Sequence, residues 1–209
     1  MCLCYTYPMP LCTLYIVRHG ETQWNKEKIV QGHTDIPLND TGKEQAQAQS
    51  EHLKHIHFDA VYASDLIRAK QTAEILLRER KLAIITTQML RERNFGDYEG
   101  KPMDNKHKEL CELLALYTSH NDFNTAHVET NDLIIGRVFT FLREVSLAHG
   151  GKNVLIASHG GVLRQVLIHL GAATEAQLAS GSVQNLAYIR LDCDGVDFWV
   201  KDTVGIVLS

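Results

Sequence analysis

Two short apolar, β-rich runs, Thr13–Val17 and Asn153–Ser158, stop abruptly at Arg18-His19-Gly20 and at His159-Gly160. Unbroken apolar runs of this length suit strands buried on both faces. A buried strand that ends in an imidazole and a glycine sets polar chemistry at its carboxyl edge. The pattern around them alternates. Asp40-Thr41 caps a helix through about Ile56, carried by Ala46, Leu53 and Ile56. Phe58–Ala63 reads as a second strand. Asp65–Lys81 is helical, with Ile67, Ala69, Thr72, Ala73, Ile75 and Leu76 on or near one face, and Leu82–Thr87 is a third strand. Helices follow over Met103–Ser119, over Glu129–Leu147 with the spacing Leu133, Val138, Phe141, Leu142, Val145, and over Val162–Leu170 with Gly171 as its stop. Val183–Val200 reads as a hairpin around Asp194-Gly195. This order predicts a three-layer α/β fold, a mostly parallel sheet with helices on both faces and a hairpin at one end.

A length of 209 residues suits one domain. With no linker in view, residues 13–209 read as that domain and 1–12 as an N-terminal extension. The net charge of −4 provides no basic field for nucleic acid, so any anionic ligand is held locally. No run approaches the roughly 18 apolar residues of a membrane span. The five cysteines, at 2, 4, 12, 111 and 193, are odd in number and three of them crowd the N-terminus, which is a poor disulfide framework and predicts a reducing cytoplasm.

In open α/β sheets ligands collect at the carboxyl ends of the strands, where His19 and His159 both fall. Arg18 adjoins the first, and Arg68 sits one turn into the helix after strand two. Two guanidiniums and two imidazoles at one edge of an acidic protein suit a compact dianion. A phosphate monoester is the natural candidate, because the arginine fork matches its oxygens.

LYIVRHGETQWN at 14–25 is similar to the first motif of the histidine phosphatase, or phosphoglycerate mutase-like, superfamily. Four further stretches resemble its other motifs in order: GHTDIPLNDTG at 32–42, YASDLIRAKQTAEIL at 62–76, LRERNFGDYEG at 90–100 and VLIASHGGVLRQVL at 154–167. The Glu21-Thr22-Gln23 that follows His-Gly resembles the branch of mutases and small-metabolite phosphatases, and the GDYEG-like segment resembles alpha-ribazole phosphatases within it.

The resemblance implies a phosphoglycerate mutase-like fold and a metal-independent phosphatase without a cofactor. It casts His19 as the nucleophile that forms a phosphohistidine, Arg18, Arg68 and a protonated His159 as donors around the phosphoryl oxygens, and Glu92 as general acid and base. It also implies phosphate contacts from Asn25, Gln31 and Gly32, and a backbone donor from Gly160 at a helix N-terminus. Each has a plain structural alternative. Either histidine could be an ordinary hydrogen-bonded strand-end residue, and Glu92, between Arg91 and Arg93, could sit on a solvated ion-paired face. Gln165 and Arg164 read as surface or packing residues, and Thr41-Gly42 as cap and packing.

Substrate choice depends on the lid, residues 101–128. Relatives often carry Gly-Glu-Ser before the long helix, where this chain has Val128-Glu129-Thr130 preceded by His127, which alters the substrate rim. The short connection from Gly100 to Glu129 lacks the long Arg- and Pro-rich insertion of bisphosphoglycerate-dependent mutases. The leading expectation is therefore hydrolysis of a small phosphorylated metabolite. A phosphoglycerate mutase and an inactive phosphate-binding or docking module are the alternatives. A metal-binding reading would draw on His52, His55 and His57.

Overall fold

The computed structural model describes residues 10–78, 80–103, 127–179 and 181–208. Six strands form one sheet in the order β3-β2-β4-β1-β5-β6. They are β1 (Cys12–Arg18), β2 (Ala60–Ser64), β3 (Ile84–Thr87), β4 (Asn153–Ser158), β5 (Val183–Cys193) and β6 (Phe198–Ile206). The pairs β3-β2, β2-β4 and β4-β1 are parallel, whereas β5 runs antiparallel to β1 and β6. The expected mostly parallel sheet with a terminal hairpin is therefore present.

The central strands bury both faces, as their unbroken apolar sequences require. Leu14 and Ile16 of β1, with Val154 and Ile156 of β4, join one core cluster, while Tyr15, Val17, Leu155 and Ala157 join the other. Helix α2 (Asp40–His52) and helix α3 (Ile67–Leu77) cover the second cluster, and α4 (Asn131–Ala148) and α5 (Gly160–His169) cover the first. A short α1 (Gln23–Lys26) precedes them. Helix α3 buries Arg68, Ala69, Thr72, Ala73, Leu76 and Leu77, so a charged residue occupies the amino-terminal end of its core stripe.

Several element ends differ from the sequence reading. Asn39, not Asp40 or Thr41, caps α2, its Oδ1 accepting the Gly42 N–H at 2.8 Å. The helix stops at His52 because Leu53 turns into the core. Phe58 is buried ahead of β2, since the preceding turn is pinned to β4 where Asn153 donates to Asp59 at 3.0 Å. Helix α3 begins at Ile67, whose N–H is taken by Asp35 at 2.6 Å, and ends where Arg78 enters the left-handed region at φ 47°. Between β1 and α2 the chain also forms α1, closed by a capping box between Thr22 and Asn25. The helix expected over Met103–Ser119 lies, beyond Met103, outside the described residues, as do residues 1–9 of the extension. No helix among the described residues is long and apolar enough to cross a membrane.

Candidate active site

Parallel pairing of β1 with β4 sets Arg18 opposite Ser158, so the next residues on both strands, His19 and His159, emerge side by side at the carboxyl edge. Their ring centroids lie 5.2 Å apart. His19 is 3% exposed, and His159 and Arg68 are fully buried.

The nucleophile candidate has a defined tautomer. His19 Nδ1 lies 2.7 Å from the Gly20 carbonyl oxygen. A carbonyl oxygen only accepts, so Nδ1 carries the hydrogen and the lone pair resides on Nε2. The backbone is tied down around it. Gly20 N–H donates to Thr72 Oγ1 at 3.1 Å, and Asn185 Nδ2 donates to the His19 carbonyl at 3.0 Å. Gly20 and Gly42 approach so closely that a Cβ on Gly20 would sit 2.5 Å from the Gly42 oxygen.

Four buried side-chain nitrogens here have no protein partner: Arg18 Nε, Arg68 Nε and both ring nitrogens of His159. Buried polar atoms are otherwise paired, so such a cluster marks a place built for an acceptor-rich ligand. The rest of each guanidinium is committed to main chain. Arg68 donates to the Thr34 oxygen at 2.9 Å and to the Gly32 oxygen at 2.7 Å, and Arg18 donates to the Val183 oxygen. Carbonyls orient these charges without neutralising them.

The charge balance acts on the imidazoles. Burial, followed by Arg68 and Arg18, holds the His19 pKa well below the ordinary histidine value, against the Gly20 hydrogen bond. Burial and then Arg68, His19, Arg137 and Arg18 do the same to His159. Protonation of His159, which the resemblance implies, is thus disfavoured in the free protein, first by burial and then by the neighbouring cations and imidazole. Burial lowers Arg68 to about 10, so it remains charged at neutral pH.

Glu92 reaches this site along the segment after β3, and among the described residues its carboxyl forms no ion pair with Arg91 or Arg93. Arg91 instead forks onto Asp65 at 2.6 and 2.8 Å, and Arg93 donates to the Glu129 carbonyl and to Asn131. Glu92 Oε1 accepts from the Arg93 N–H at 2.8 Å, and Oε2 accepts from the Gly161 N–H at 3.0 Å. A Cβ on Gly161 would sit 2.2 Å from Glu92 Oε1, so a side chain there would displace the carboxyl from this position. Gly161 thus supplies a backbone donor at the start of α5, and it supplies it to Glu92. Gly160, singled out in the sequence, packs against Arg18 instead, with a Cβ position 3.2 Å from Nε.

The remaining candidates are organised one step back. Thr22 Oγ1 lies 3.0 Å from Gln31 Oε1 and 3.2 Å from Asn25 Oδ1. With both amide oxygens turned to Thr22, the NH₂ ends are left to donate elsewhere. Gly32, expected to admit phosphate, adopts φ +54° to admit Glu99, whose Oε1 would lie 2.0 Å from a Cβ. Glu99 accepts from His33 N at 2.8 Å, Thr34 N at 2.9 Å and Thr34 Oγ1 at 2.7 Å, and so holds the loop whose carbonyls hold Arg68. Thr22, Glu99, Arg93 and Arg137 brace the candidate residues or the segments that carry them, and the sequence reading gave none of them this place. Their spacing carries no periodic signal. His127 is exposed and lies 3.9 Å from Asp97, outside this cluster. Among the described residues no group of three or more potential ligands is placed to hold a metal ion.

Residues 14–204 match the histidine phosphatase superfamily, branch 1. The chain belongs to that family. It is 33% identical over 187 residues to the uncharacterized phosphatase PhoE of Bacillus subtilis (strain 168), covering 90% of this chain and 91% of that protein. It is 32% identical over 190 residues to a metal-independent phosphoserine phosphatase of Arabidopsis thaliana, covering 89% and 80%. A phosphoglycerate mutase crystal structure from Bacillus anthracis str. Sterne superposes with a TM-score of 0.82 at 28% identity, covering 95% of each chain. The histidine phosphatase is therefore a phosphatase enzyme with a phosphoglycerate mutase-like α/β fold.

Proposed function

We propose that this histidine phosphatase is a phosphomonoesterase that hydrolyses a small phosphorylated metabolite through a phosphohistidine on His19, without a metal or a cofactor. The observation that carries this reading is the combination of a fixed Nε2 lone pair on His19 with unpartnered buried nitrogens on Arg18, Arg68 and His159. The Nε2 lone pair attacks phosphorus and the ester P–O bond breaks. Glu92, protonated, gives its proton to the departing alkoxide. Water then attacks phosphorus as its proton passes to the Glu92 carboxylate; the P–N bond breaks, its electron pair returns to Nε2, and phosphate leaves with His19 restored. Charge in the loose transition state rests on the equatorial phosphoryl oxygens, and Arg18, Arg68 and His159 are the fixed donors for them. An entering dianion favours the imidazolium form of His159, so that histidine takes up a proton on binding. Asn25 and Gln31 add amide donors, and Gly32 and Gly160 shape the phosphate cradle.

The phosphoserine phosphatase relative supports a small substrate, and the unpaired, buried Cys12 and Cys193 support a reducing cytoplasm. The test is phosphate release from p-nitrophenyl phosphate and a panel of phosphorylated metabolites with chelator present, beside mutase assays with phosphoglycerate and bisphosphoglycerate. Steady release that vanishes in His19→Ala supports hydrolysis. Isomerisation without release makes the enzyme a mutase, and no turnover with any compound makes it a binding module.

A further inference from the structure

The acid Glu92 sits on a segment with almost no regular structure of its own. A single 3₁₀ turn, Gln88–Leu90, is followed by irregular chain to Phe95. Such a segment holds a side chain to sub-ångström tolerance only if neighbouring groups brace it. Arg137, on the second turn of α4, makes that brace. Its Nη1 donates to the Met89 carbonyl at 2.8 Å and its Nη2 to the Glu92 carbonyl at 3.1 Å. Glu129 grips the same guanidinium in a two-pronged pair, at 2.6 Å from Nε and 2.9 Å from Nη2. The two side chains are only 18% and 13% exposed. Glu129 also accepts from Asn94 N at 3.1 Å, donates its own N–H to the Asn94 carbonyl at 2.8 Å, and takes Arg93 on its carbonyl. Apart from the Arg137–Glu129 pair itself, every one of these bonds lands within Met89–Asn94, on Glu92 or within three residues of it.

We infer that Arg137, locked by Glu129, is a positioning residue that sets the general acid Glu92 against the leaving-group oxygen. The inference rests on the phosphatase reading above. The bonds of the pair converge on the short irregular segment that carries Glu92, and one of them is made to the Glu92 carbonyl itself. The Glu92 carboxyl is gripped separately by Gly161, and the carbonyl again by His33 Nε2 at 2.9 Å. Loss of the brace leaves His19, Arg18 and Arg68 in place and misplaces the acid; it also removes one of the charges that lower the His159 pKa, an effect common to both esters below. The penalty then depends on how much proton help the leaving group needs.

The experiment compares p-nitrophenyl phosphate, a good leaving group, with phenyl phosphate, which has nearly the same shape but a more basic phenol. Arg137→Met should lower kcat on phenyl phosphate by about 10-fold to 100-fold and on p-nitrophenyl phosphate by less than about 3-fold. In a Glu92→Gln background the same change should cost less than about 3-fold on either ester, because the acid it positions is gone. Since Arg137→Met leaves Glu129 buried and unpaired, the Glu129→Gln, Arg137→Met double variant, which removes both charges, is measured beside it. Equal losses on both esters, or a full multiplicative loss in the Glu92→Gln background, in either form of the variant, overturn the inference. If the wild-type enzyme releases phosphate from neither ester, the phosphatase reading itself fails. Wild-type turnover with no leaving-group split removes only the positioning role.

Discussion

The His19 and His159 rings meet at an interplanar angle of 62° with Arg18 and Arg68 buried around them, so two ionisable bases share a pocket that already holds two cations. That arrangement costs stability in acid. Both histidines have folded-state pKa values below the ordinary value of about 6.5. Below that pH the unfolded chain binds more protons than the folded one, so stability is complete above about pH 6.5 and falls as pH drops toward the folded values. Each group contributes up to about 1.4 kcal/mol per pH unit in that window. His149, also lowered by burial and bonded to Tyr62, adds a share of its own. Urea midpoints between pH 5 and 7.5 should rise with pH, and His159→Gln should flatten the slope by one group's share. An unchanged slope contradicts the buried neutral pair.

Arg68 tests the phosphoryl cradle. Its guanidinium is held by two carbonyls with Nε unpartnered. Arg68→Ala should lower kcat by about 10²-fold to 10³-fold, the usual cost of one preorganised transition-state donor. Arg143→Ala, on the exposed face of α4, should stay within about 2-fold. Steady-state kinetics that put the two variants level would remove Arg68 from the site.

Glu92→Gln tests the proton path. The amide retains the side-chain shape but has no proton to give. Activity on p-nitrophenyl phosphate should fall only a few-fold, whereas alkyl phosphates should lose about 10²-fold or more. A uniform loss across leaving groups would mean that Glu92 does not act as the acid.

Much of this site was legible in the sequence because strand ends and helix stripes have periods. His19, His159 and Arg68 each occupy a position that a strand or helix pattern reaches, and the mostly parallel sheet follows from unbroken apolar runs. The supports of the site lack such a signal. Glu99 reaches Gly32 and Thr34 across more than 60 residues of chain, and Arg137 meets Glu92 across 45. Only the folded chain brings these pairs together. The capping error at Asn39 has a local cause: three consecutive polar residues, Asn39, Asp40 and Thr41, all favour that position, and the Gly42 N–H selects among them.

Gly32 tests the loop that orients Arg68. With φ at +54° and Glu99 against its open side, Gly32→Ala should destabilise the fold by about 1–2 kcal/mol from the backbone alone and lower kcat as the loop shifts. Gly136→Ala, at an exposed position of α4 with nothing within 4 Å of its Cβ position, should instead be neutral or stabilising by up to about 1 kcal/mol. Thermal denaturation of the pair checks both signs.

The central claim is a covalent phosphoryl group on His19, and the direct measurement is mass spectrometry of the enzyme quenched with alkali during turnover, with chelator present. The account predicts one phosphoryl group on the peptide that contains His19, formed and lost at least as fast as the steady-state rate and absent from His19→Ala. Turnover without that modification, or His19→Ala working near the wild-type rate, would contradict it.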